Sequence, residues 1–172
     1  MASTFNQVFK YLESTVRSRL ENFFHEKPFQ KDPFDLSSIQ NPDPIFSFID
    51  HYNLSDENII LLSAALVPHL LPGFFDRVIR EYLPQGGDFP EFGGTKSDQH
   101  RGLIPTGETV LFILAGMDIQ ARFNYLLILD QSNPLIKHRI LSLESVKTGE
   151  PRMSGRLVMD PEYVEVLTTG QI

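Results

Sequence analysis

Ser55-Asp56-Glu57-Asn58-Ile59-Ile60-Leu61-Leu62-Ser63-Ala64-Ala65-Leu66-Val67-Pro68 is the stretch that decides the fold class. Ser55 stands where a capping hydroxyl accepts a free amide, and Asp56 and Glu57 suit the positive end of a helix dipole. The run from Ile59 to Val67 is apolar nearly all round, and a helix without a polar face belongs at the centre of a core. Pro68 is expected to end this helix and Pro72 to open the next, over about 72–82, with Phe74, Phe75, Val78, Ile79 and Tyr82 turned inward.

Outward from this centre, residues 3–25 carry Phe5, Val8, Phe9, Leu12, Val16, Leu20, Phe23 and Phe24 at intervals of three and four, one amphipathic helix with Ser3 or Thr4 as its cap. A proline-punctuated link comes next (Pro28, Pro33, Pro42, Pro44), whose Phe29, Phe34, Leu36 and Ile39 are expected to lie against the body. Residues 1–43 thus read as an N-terminal helical arm, and 44–172 as the domain proper. Within it, Pro44 to Tyr52 makes a short helix, Thr106 caps another through about Ala115, and Asp118 opens one through about Leu129 with Ile119, Phe123, Leu126 and Leu127 on its apolar stripe. Ile136–Val146 and Gly155–Met159 read as two strands around the turn at Gly149 and Pro151, and Asp160-Pro161-Glu162 starts a last helix closed by Gly170. The class is mainly α with a small β-hairpin, α+β, and helices followed by a hairpin outline a winged-helix domain.

Composition narrows the function. With 15 Lys+Arg against 22 Asp+Glu in 172 residues, the net charge is −7, which disfavours a duplex-DNA binder that must neutralise phosphates. Cysteine is absent, which excludes disulfides, thiolate metal sites and cysteine nucleophiles. No apolar run approaches the roughly 18 residues that cross a bilayer. No secretory pattern is visible in Met1–Lys10, so no membrane association and a cytoplasmic address are expected.

Tests for chemistry return little. Gly93-Gly94-Thr95-Lys96-Ser97 has Thr95 where a P-loop needs glycine, and no strand precedes it. His25, His51, His69, His100 and His138 are scattered without metal-ligand spacing, and Ser154 has no base nearby in sequence. The basic residues of the hairpin region, Lys137, His138, Arg139, Lys147, Arg152 and Arg156, alternate with Glu144, Glu150, Asp160, Glu162 and Glu165. A nucleic-acid-binding winged helix is the alternative reading, and a small enzyme with a site assembled across the fold is a third. The glycine-rich stretch from Pro84 to Pro105 is too long for an ordinary connection. Its Phe89 and Phe92 either anchor a partner from the surface or fold back to pin the loop to the core.

Three segments resemble one family. Leu54-Ser55-Asp56-Glu57-Asn58-Ile59 through Val67-Pro68-His69 is similar to the helix that opens the globular N-terminal part of AAA+ ATPases found with contractile injection systems. Pro134-Leu135-Ile136-Lys137-His138-Arg139-Ile140-Leu141-Ser142-Leu143-Glu144 resembles a strand of that family, and Leu157-Val158-Met159-Asp160-Pro161-Glu162-Tyr163-Val164 with Leu167 and Gly170 resembles its ending. The block from Leu83 to Gly116 is similar to members from Bacteroidetes-type bacteria, and the likeness spans about residues 34–170.

The resemblance implies a bacterial, non-catalytic winged-helix module for protein–protein contacts that precedes an ATPase in a protein encoded with a phage-tail-like particle. Its expected partners are the ATPase domain of its own parent chain and injection-system components. Gln171-Ile172 stands where the family continues into Walker A and Walker B, so ATP and magnesium are expected in the ATPase domain, no cofactor here, and the chain reads as an excised N-terminal domain, with a free-standing relative as the alternative. Phe89, Phe92 and, at the hairpin tip, Arg152 are the expected partner-binding residues.

Overall fold

The structure, a computed structural model, describes residues 2–39 and 43–170. Pro42 of the link, the Ser3 side chain and the final Gln171-Ile172 lie outside the described residues. The described chain is mainly helical, with one small two-stranded antiparallel sheet.

The central helix, α3 (Asp56–Leu70), comes after α1 (Ala2–His25) and α2 (Pro44–His51). Ser55 Oγ accepts from the Asn58 amide at 3.2 Å, and every residue from Ile59 to Val67 is buried. Helix α3 does not stop at Pro68 as the sequence suggests, but runs on to Leu70. Proline there removes only one donor of the last turn, and the Leu71 amide still closes that turn on the Val67 carbonyl at 2.7 Å. Around α3 lie α1, α5 (Gly107–Ala115) and the second strand.

Helix α1, which the sequence places in an arm, contributes Val8, Phe9, Leu12, Val16 and Leu20 to the same core as α3 and α5. It begins at Ala2, ahead of the expected cap, so Thr4 lies inside the helix with its hydroxyl buried. The link after it lies on the body: the Phe34 amide donates to Asp56 Oδ1 at 3.2 Å, and its ring stands 5.3 Å from that of Tyr11. Helix α4 (Phe74–Tyr82) crosses α1 and is tied to it by Arg77–Glu13 at 2.8 Å, Arg17–Glu81, and the Tyr82 hydroxyl donating to Glu21 Oε1 at 2.8 Å.

One buried cation fixes the end of α5. Arg19, only 6 % exposed, donates through Nε to the Ile113 carbonyl at 3.0 Å and through Nη2 to the Leu114 carbonyl at 2.9 Å. Its guanidinium lies 3.6 Å from the centre of the Phe29 ring, and burial lowers its pKa to about 10. The turn it stabilises requires glycine: Gly116 has φ +63°, and a Cβ there would meet Arg19 Nη1 at 2.8 Å.

Beyond that turn come α6 (Ile119–Tyr125), a 3₁₀ turn Leu126–Leu129, and α7 (Pro134–Lys137). The strand expected over 136–146 shrinks to β1 (Leu141–Leu143), because Asn133 caps a helical turn at Pro134 and Arg139 reverses the chain at φ +59°. Strand β2 (Leu157–Met159) pairs antiparallel with β1, with Leu141 opposite Met159. Helix α8 (Pro161–Thr169), capped by Asp160 and ended by left-handed Gly170, closes on α2.

Replacing Arg19 with methionine leaves the Ile113 and Leu114 carbonyls buried without a donor. Urea unfolding is expected to show a loss of about 2–4 kcal/mol. Burial, aided by the bond to Glu21, raises the Tyr82 phenol from its ordinary 10 to about 12. The folded state therefore holds this proton more tightly than the unfolded chain, so the contribution is complete below pH 10 and is lost as the pH rises through 12. Tyr82→Phe is expected to make the alkaline fall in stability shallower, with Tyr11, whose pKa burial also raises, supplying part of the remaining slope.

Candidate functional site

The glycine-rich loop turns its aromatics inward. Phe92 is 1 % exposed, its ring 5.8 Å from Phe75 and 5.7 Å from both Phe89 and Phe112. Phe89 is half-buried against Phe23 and Phe24 at 5.5 and 5.4 Å. Of the two readings open from sequence, the rings pinning the loop to the core describes this arrangement. A ring as enclosed as Phe92 presents no surface to a partner, because the same apolar area that suits an interface is already covered from within. Two glycines make the approach possible: a Cβ on Gly93 would meet Thr106 Oγ1 at 2.8 Å and one on Gly94 would meet Leu103 Cδ2 at 2.6 Å, both at positive φ.

Between this loop and α4 and α5 lies an open groove of about 980 Å³, bordered by Asp76, Arg80, Asp88, Lys96 and Glu108. Three of these charges are engaged. Asp76 accepts from the Leu103 amide at 2.8 Å and lies 3.7 Å from Lys96, while Glu108 pairs with Arg122. Lys96 therefore faces a carboxylate rather than a cradle of amides. Burial and then the neighbouring His100 lower the pKa of His69. Among the described residues, no group of three or more His, Asp or Glu could hold a metal ion.

The hairpin holds the third residue singled out from sequence. Arg152 is exposed in a 3₁₀ turn (Arg152–Ser154) and reaches the Leu129 carbonyl at 3.4 Å. It does not share a surface cluster with the buried Phe92. Arg156 is paired with Glu144 across the hairpin, and the exposed Lys137, Arg139 and Lys147 are matched in number by exposed Glu150, Glu162 and Glu165. The hairpin is stitched to the start of α5, since the Gly107 amide donates to the Gly155 carbonyl at 3.1 Å and the Leu157 amide to the Pro105 carbonyl at 2.9 Å.

The most exposed apolar surface lies elsewhere, on α6 and the turn after it. Met117, Ile119, Phe123, Leu126 and Leu127 are between 38 and 66 % exposed. The sequence stripe is therefore real but faces outward rather than into the core. The reason is a polar anchor on the opposite side: Arg122 donates to the Gly116 carbonyl at 2.8 Å and pairs with Glu108 at the start of α5, turning that side of α6 to the body. Tyr125 and Ile128 are half-buried there and Leu129 is buried. Periodicity marks a stripe without saying which way it points, and Arg122 was the available signal, legible only once Glu108 is known to be its neighbour. Beside the ridge runs a groove of about 520 Å³ lined by Arg19, Asn22, Phe29, Met117 and Tyr125.

Phe92 and Phe123 thus have opposite environments. Phe92→Ala is expected to cost about 3–5 kcal/mol in urea unfolding, whereas Phe123→Ser is expected to change stability by less than about 0.5 kcal/mol. Compared with known protein families, with curated proteins and with solved structures, the chain finds no match.

Proposed function

We propose that this chain is a non-catalytic protein-contact module of winged-helix type, which positions an AAA+ ATPase of a bacterial contractile injection system. The observation that carries the reading is the outward apolar ridge of α6, Met117 to Leu127. A soluble domain seldom leaves neighbouring large apolar side chains so exposed unless another surface covers them. Aromatic and aliphatic anchors with few charges are the usual make-up of an interface centre.

The winged-helix element of the proposal draws support from the order of helices before the hairpin and from the attachment of the hairpin to α5 at Gly107 and Gly155. The injection-system element rests on the resemblance of residues 34–170 alone. In this reading ATP and magnesium act in the ATPase portion of the parent protein in the cytoplasm, and the present chain holds and orients.

Retention of purified contractile particles on the immobilised chain tests the proposal. Wild-type chain is expected to retain them, and Phe123→Asp to weaken retention at least about 10-fold, the scale of one lost interface anchor. A wild-type chain that retains none overturns the functional reading, and undiminished retention by Phe123→Asp overturns the assignment of this face.

A further inference from the structure

We infer that the occupant of the α6 ridge is a second copy of this chain, the two meeting ridge to ridge about a two-fold axis. The inference rests on the proposed role of this face in a protein contact and names the partner; particle retention then depends on Phe123 because the paired chain binds with two arms.

Charge is the first argument. With a net charge of −7, most faces of the chain repel a second copy. Between Met117 and Leu127 the only charged side chains are Asp118 and Arg122. Arg122 is engaged by Glu108, and Asp118 is held at the helix start, accepting from the Ala121 amide at 3.1 Å. The five ridge side chains are themselves uncharged, so two copies meet there through apolar groups, with the exposed Asp118 at the margin.

Area is the second. At exposures of 38 to 66 %, the five ridge residues present about 500 Å² per copy, so pairing covers at most about 1,000 Å², the size of a small, reversible contact. Pairing about a two-fold axis puts the same apolar patch on both sides of the contact.

Geometry is the third. Ile119, Phe123 and Leu127 succeed one another at intervals of four, with Leu126 beside them, so they form one stripe along α6 and its 3₁₀ extension. When two such stripes pair antiparallel, the middle residue lies on the axis. Phe123 then packs on Phe123 of the second copy, while Ile119 of each meets Leu126 and Leu127 of the other, a self-complementary contact that closes at two.

Sedimentation velocity of the 172-residue chain over a concentration series tests this, with Phe123→Asp and Leu127→Asp as variants and urea midpoints as the check on folding. A reversible monomer–dimer equilibrium is expected, weakened at least about 100-fold by Phe123→Asp, which sets two carboxylates face to face on the axis, with little change in the urea midpoint. Leu127→Asp is expected to act in the same direction. Wild-type chain that stays monomeric at about 100 μM, or a Phe123→Asp chain that dimerises as tightly as wild type, overturns the inference. The two readings fail separately. A monomer that still retains contractile particles through Phe123 defeats self-pairing alone, and a Phe123-dependent dimer that retains none defeats the injection-system reading alone.

Discussion

The guanidinium of Arg19 at the end of α5 is the constraint on which the rest of the structure turns. It joins the first helix to the fifth through the Ile113 and Leu114 carbonyls, with the Asn22 side chain as a further acceptor at 3.1 Å. A buried cation is expensive to desolvate, and here carbonyl dipoles and the face of Phe29 take the place of water. The helix dipole adds to this, because the negative end of α5 points at the positive charge. Fixing that end fixes Gly116, and the Gly116 turn sets the direction in which α6 leaves the body.

Helix α6 consequently has its polarity reversed. In most surface helices the charged residues face water; in α6 the arginine faces inward to Glu108 and Gly116, and the apolar stripe faces out. The arrangement holds locally because the inner side is not dry: an ion pair and a backbone carbonyl satisfy Arg122 at the margin of the core. The hydrophobic effect then acts on the outer side as an unmet driving force for association, roughly proportional to the apolar area that a partner removes from water.

Much of the helical frame was legible in the sequence because caps and all-round burial are local signals. Ser55, Asp118, Asp160 and Thr106 each cap the helix that their chemistry announces, and Thr106 does so within a reciprocal box with Thr109. Departures arose where tertiary contacts outweigh local preference. Pro68 sits too near the end of α3 to break it, and the β-branched run after Ile136 is shortened by an asparagine cap that sequence periodicity does not weigh. The site was less legible than the fold. Phe92 and Phe123 are each a phenylalanine beside glycine or asparagine in sequence, and only the packing of Phe75 and Phe112 around one, and the Arg122–Glu108 pair behind the other, separates a core ring from an exposed one.

The stitching of the hairpin to Gly107 gives α5 a mechanical role. Its first residue is bonded to the hairpin and its last turn to Arg19, so the nine-residue helix is a strut of about 13 Å clamped at both ends. A pull on the hairpin has a bonded path along this strut to the base of α6. The two outer surfaces of the molecule are thereby held at a fixed separation, as the ends of a spacer are.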